Sequence, residues 1–177
     1  MVIETPRLRL RHMTTADAAV ILAVLNDPAF LAFVGDKGVR TVEQARAYLE
    51  TGPIAMYAHR GFGQYLAELR ETGTPVGICG LIKRDALPHA DVGFALFPAF
   101  RGQGFAFEAA SAVLDHARGA LGMSAVLAIT HQENVVSQRL LEKLGLRFER
   151  LVDLPSSNGR PREAPLKLYA ISWSAGA

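Results

Sequence analysis

Phe97-Pro98-Ala99-Phe100-Arg101-Gly102-Gln103-Gly104-Phe105-Ala106 joins an extended stretch, Asp91 to Leu96, to a run with apolar residues at helical spacing: Ala109, Ala110, Val113, Leu114 and Ala117. A strand that turns through two glycines into a helix can hold an anion. Gly102 and Gly104 permit backbone shapes closed to other residues and lack the Cβ that would keep a phosphate at a distance. The first helical N–H groups have no partner of their own. Three phosphate loops compete for the pattern. A mononucleotide loop needs Gly-Lys-Ser or Gly-Lys-Thr, where the chain has Gly104-Phe105-Ala106. A dinucleotide fingerprint needs a third glycine at Phe107 and an acid about 20 residues on, where 121–126 offers none. What remains is Arg101-x-x-Gly104-x-Ala106, against the plain alternative of a glycine turn that only starts a helix.

Outward from this junction the period of the sequence alternates between strand and helix. Leu8 and Leu10 alternate with arginines as in a half-buried strand. A helix capped at Thr14 or Thr15 follows and is expected to stop at Asp27-Pro28; a second, capped at Thr41 with Gln44, is expected to end by Gly52-Pro53. Gly63 to Leu69 and Pro75 to Lys83 read as two strands of a hairpin, and Asp91 to Phe97 as a third. The helix from Gly104 to Leu121 is closed by Gly122. Ala125 to Thr130 is a buried strand, Val135 to Leu144 a helix ended by Gly145, and Phe148 to Asp153 and Leu166 to Trp173 two last strands. Pro155 to Pro165 is expected as a surface loop. The sum is a mixed α/β chain with about seven strands, expected to form a single domain over residues 1–177.

The 177 residues, half of them hydrophobic, suffice for one substantial core. A net charge of +2 with interspersed signs gives no reason to expect nucleic acid as a partner. There is no apolar run long enough for a membrane span and no secretory start, and the single cysteine, Cys79, suits a reducing compartment, so a cytoplasmic protein is expected. The five histidines show no metal-ligand spacing, and no metal is expected.

The loop Arg101-x-x-Gly104-x-Ala106 resembles the pyrophosphate loop of the GNAT N-acetyltransferase superfamily. Asp91-Val92-Gly93-Phe94-Ala95-Leu96-Phe97-Pro98 resembles its central strand in the RimJ/RimL-like branch. Asn134-Val135-Val136-Ser137 followed by Leu140-Leu141-Glu142-Lys143-Leu144-Gly145, together with Gly61-Phe62-Gly63 and Val76 to Leu81, are similar to further segments of that branch. The segments come in the right order over nearly the whole chain. Two departures stand out: Asp91 where the branch more often has Glu, and Leu146-Arg147-Phe148 in place of a compact Gly-Phe.

The resemblance implies a GNAT-like fold, a mixed and mostly antiparallel sheet flanked by helices, and transfer of acetyl from acetyl-CoA to a primary amine. It implies a protein N-terminus as acceptor, ribosomal proteins included. A small-molecule amine or a CoA-binding sensor without turnover are the alternatives, and a monomer or a homodimer would serve equally. Arg101, Gly102, Gln103, Gly104, Phe105 and Ala106 would hold the pyrophosphate. The backbones of Leu96 and Phe97 and the side chain of Asn134 would hold the pantetheine arm. Ser137 would stand by the departing sulfur, against the plain reading of a first-turn serine satisfying an N–H. Asp91 is the candidate base, against the plain reading of a solvated strand-end carboxylate. An α-amino group near about 8 asks less of that base than a lysine near about 10.4. Glu108 reads as a carboxylate complementing the helix dipole. Cys79 has no base placed near it by sequence and is a weak candidate nucleophile.

Overall fold

The computed structural model describes residues 2–155 and 162–173. Strands β1 (Val2–Glu4) and β2 (Leu8–Arg11) lead into helices α1 (Ala18–Leu25), α2 (Pro28–Phe33), α3 (Val42–Leu49) and α4 (Ala55–Arg60). Then come β3 (Gln64–Leu69), β4 (Pro75–Ile82), β5 (Asp91–Leu96), α5 (Phe105–Gly119), β6 (Ala125–Thr130), α6 (Val135–Lys143), β7 (Arg147–Val152) and β8 (Leu166–Ser172). They build one sheet in the order β1-β2-β3-β4-β5-β6-β8-β7. All its pairs are antiparallel except β5 with β6.

Strand alternation sorts the core onto the two faces of the sheet. The cross-strand partners Leu66 and Ile78 are buried with Ile21, Val24, Leu25 and Leu49 of α1 and α3. Their neighbours Tyr65 and Cys79, also partners, are buried with Ala109, Ala110, Val113 and Ala117 of α5. The alanine stripe lets α5 lie close to the strands. Gly80 marks an equally close approach within the sheet, since a Cβ there would stand 2.3 Å from the Gly63 carbonyl oxygen.

The sheet has eight strands, close to the seven or so expected: the short β1, too brief to show a period, adds one by pairing Ile3 with Leu10. Two helix boundaries differ in detail from expectation. Asp27-Pro28 ends α1 but also starts α2: the Asp27 carboxylate accepts the N–H of Ala29 at 3.0 Å and of Phe30 at 3.3 Å, and proline occupies the first turn, where its missing donor costs nothing. Gly52-Pro53 does not end the second helix. A π turn over Glu50–Ile54 takes in the buried Pro53 and passes into α4, which stops at Gly61 with φ +75°. Of the loop expected at Pro155 to Pro165, residues 156–161 lie outside the described residues. No helix among the described residues is long and apolar enough to cross a membrane.

Candidate active site

β5 and β6 run parallel but are in register only at Asp91 and Leu127, where the Leu127 N–H donates to the Ala90 carbonyl at 2.9 Å. Beyond that point the strands part. Peptide groups alternate in direction along a strand, and Phe97 donates its N–H to Val76 of β4 at 2.9 Å. The Phe94 peptide group and the Leu96 N–H therefore point the other way, into the gap, while the Leu96 carbonyl on that side is taken by Arg101 Nε. Phe97 does not supply the expected backbone pairing: its N–H is taken by β4 and its carbonyl accepts the Phe100 N–H at 3.0 Å.

The glycine loop closes one end of the gap. Gly102 and Gly104 have φ of +72° and +81°, both in the left-handed region, and a Cβ at Gly102 would meet nothing within 4 Å. No side chain among the described residues caps α5, and its first backbone bond runs from Glu108 N–H to Gly104 carbonyl at 3.0 Å. Among the described residues, the N–H groups of Gly102 and of residues 104–107 make no hydrogen bond. Gln103 turns its amide back onto the Ala99 carbonyl at 2.7 Å. The buried Phe105 ring packs edge-on to Phe100, and Ala106 packs against the core, fixing the helix start.

Arg101 is placed differently from expectation. Its Nε donates to the Leu96 carbonyl at 2.9 Å and its Nη2 to Asp27 at 2.5 Å, so its guanidinium fastens the end of β5 to the α1–α2 corner instead of lying free beside the loop. The charge beside the glycines is that of Arg7. Its Nη1 donates to the Gln103 carbonyl at 3.0 Å, and its guanidinium lies 4.2 Å over the Phe105 ring. Arg7 was hidden in the sequence as one of several arginines alternating with leucine, and nothing in that pattern singles it out.

Asp91 is only 1% exposed, so it is not a solvated strand end. Arg84 grips it, Nε to Oδ1 at 2.9 Å and Nη2 to Oδ2 at 3.4 Å. Burial raises the Asp91 carboxyl above the usual aspartate range, and the Arg84 charge offsets this only in part. At the start of α6, Asn134 Oδ1 accepts the Ser137 N–H at 3.1 Å, so the cap is Asn134. The Ser137 hydroxyl makes no hydrogen bond to any described residue, and neither does Asn134 Nδ2. Cys79 is fully buried and burial pushes its thiol up to about 12, which leaves it without a reactive thiolate at neutral pH.

Open amides at the glycine loop, the Phe94 peptide group and the Leu96 N–H of β5, and the Asn134 amide and Ser137 hydroxyl are polar groups without a hydrogen-bond partner among the described residues. The sequence matches the model of the acetyltransferase (GNAT) domain over residues 7–147. It is 31% identical over 173 residues to YoaA of Bacillus subtilis, named an uncharacterized N-acetyltransferase, covering 96% of each chain. The fold is similar to RimL, a ribosomal L7/L12 alpha-N-protein acetyltransferase solved with coenzyme A, at TM-score 0.83 and 19% identity over 99% of this chain and 100% of that one. A GNAT-family acetyltransferase from Bacillus anthracis gives TM-score 0.78 and 23% identity over 97% and 98%. At these identities the structural likeness is one of fold.

Proposed function

The chain belongs to the GNAT acetyltransferase family and is an acetyl-CoA-dependent N-acetyltransferase, and from that premise we propose that its acceptor is an α-amino group at a protein N-terminus, as in the RimJ/RimL-like branch. Bound acetyl-CoA would supply the acyl thioester. The N–H groups of Gly102 and of residues 104–107 and the Arg7 guanidinium bind the diphosphate, and the outward Phe94 peptide group and Leu96 N–H orient the arm along β5. Asp91 takes the proton the amine gives up as its N–C bond forms and the C–S bond breaks. Ser137 Oγ holds a proton for the departing sulfur.

The observation that carries this reading is the buried Asp91 carboxyl at the root of the gap. Raised by burial, it is a stronger base than a solvated aspartate, yet still a modest one. An amine near about 8 suits it, and a lysine amine near about 10.4 does not. The resemblance of the 91–98 and 134–145 segments to the RimJ/RimL-like branch adds to it. Release of free CoA, followed with short peptides, N-terminally blocked lysyl peptides and polyamines, tests the proposal. Turnover is expected with free peptide N-termini. Faster turnover of blocked lysyl peptides or polyamines would overturn the acceptor, and CoA binding without turnover on any amine would mark a sensor.

A further inference from the structure

Asp91 needs one cation and has more around it. Arg84 alone occupies both of its oxygens. Lys37, in the segment between α2 and α3, and Arg162, ahead of β8, stand in the same charged neighbourhood, which Tyr48 of α3 flanks. Arg162 Nη2 donates to the Val34 carbonyl at the end of α2 at 3.3 Å, while its Nε is buried with no partner among the described residues. The Lys37 amine, half-buried, has neither a carboxylate nor a hydrogen-bond acceptor in reach among the described residues. It is pushed down to about 8, first by burial and then by Arg84 and Arg162, with Asp91 pulling the other way. The nearby Lys83 is spent on the carbonyls of Arg84 and Leu87, at 2.6 and 2.5 Å. Two cations are therefore in excess of what Asp91 requires, one with a buried donor unused. Gathering three partly buried cations around the single carboxylate of Asp91 is costly, and an arriving anion would relieve it.

We propose that the acetyl acceptor carries a carboxylate close to its amine, received by Lys37 and Arg162 beside the Arg84 that holds Asp91, an inference that rests on acetyl transfer at this site. The carboxylate belongs either to a free amino acid or to an acidic side chain next to a peptide's N-terminal residue. The chemistry is the same in both. Polyamines would meet like charge and be refused.

Two matched pairs decide it: L-alanine against L-alaninamide, and Ala-Glu-Ala amide against Ala-Gln-Ala amide, each followed by CoA release in the intact protein. The acid member of at least one pair is expected to be preferred by about tenfold or more in kcat/KM. In the double variant Lys37→Gln, Arg162→Gln that ratio should fall toward one. Preference in the first pair identifies the α-carboxylate, and preference in the second an acidic second residue. Equal or faster turnover of the neutral member of both pairs overturns the inference and leaves acetyl transfer standing. No turnover of any of the four leaves acetyl transfer to be judged on the wider panel of amines. Calorimetric titration of the same compounds into protein holding CoA then still judges the charge: tighter binding of an acid member, lost in the double variant, sustains the inference, and equal binding overturns it.

Discussion

β5–α5 and β6–α6 are the same construction twice, a parallel strand turning into a helix on one face of the sheet, and they begin their helices in opposite ways. α6 opens on Asn134, whose side chain satisfies the Ser137 N–H. α5 opens on Gly104, and no side chain among the described residues accepts from its first amides. A helix start left bare is a liability unless an anion covers it, while a start that caps itself is free to present a neighbouring hydroxyl. The pair shows how one motif yields a receptor on one side of the gap and a proton donor on the other, with Asp91 at the point where the two strands still touch.

Removing the shared root should do the most damage. Asp91→Asn is expected to lower kcat about a thousandfold at neutral pH. In the parent protein activity should rise with pH through an inflection above the ordinary aspartate value of about 3.9, because burial raises the carboxyl and only the deprotonated form accepts a proton. The variant should lack that inflection. If it keeps the same acid limb, Asp91 is not the base.

Making α5 resemble α6 comes next. Gly104→Asp places a carboxylate over the bare amides, and its Cβ would stand 3.3 Å from Arg7 Nη2, the movable end of a side chain. The aspartate occupies the anion's place and repels a diphosphate, so CoA affinity by calorimetry should fall about a hundredfold, the worth of one or two charge-assisted hydrogen bonds. Unchanged affinity would show that the two helix starts do not differ in function. Ser137→Ala probes the other unit and should cost less, about tenfold in kcat, with CoA affinity held. A variant as fast as the parent under saturating acetyl-CoA would remove the hydroxyl from the reaction.

The difference between the two units was legible in the sequence because it is local. Gly102, Gly104 and the Asn134-x-x-Ser137 spacing write their backbone consequences within a few residues, as do the alternation of Leu8 and Leu10 and the alanine stripe of α5. What the sequence did not disclose is where long side chains go. Arg101 swings to Asp27, 74 positions away, and Arg7 reaches the loop 96 positions on. Both contacts follow from the packing of strands already folded, not from any period. The π turn at Pro53 escaped for a related reason: proline is a helix breaker by local rules, and only the surrounding burial makes the wider turn worth keeping.

An uncapped α5 also raises the question of what holds its first turns, and the structure answers with Glu108. This carboxylate accepts from Thr5 Oγ1 at 2.6 Å, from the Arg7 N–H at 2.8 Å and from Arg7 Nε at 2.6 Å, tying the helix to the β1–β2 turn; this goes beyond complementing a dipole. Burial would raise its carboxyl, but these donors prevail and hold it below the ordinary glutamate range. A folded value below the unfolded one means that stability is present above about pH 4.3 and is lost as pH falls through the folded value. Glu108→Gln should therefore destabilise the protein by about 1–2 kcal/mol at pH 7 in urea melts, with the deficit shrinking in acid as the parent loses the same charge. Asn134→Ala, which strips the cap from α6, should cost about 1 kcal/mol whatever the pH, since no charge is involved. Equal pH dependence in the two variants would mean that both helices are anchored alike, and the contrast between the bare start and the capped one would then be one of sequence only.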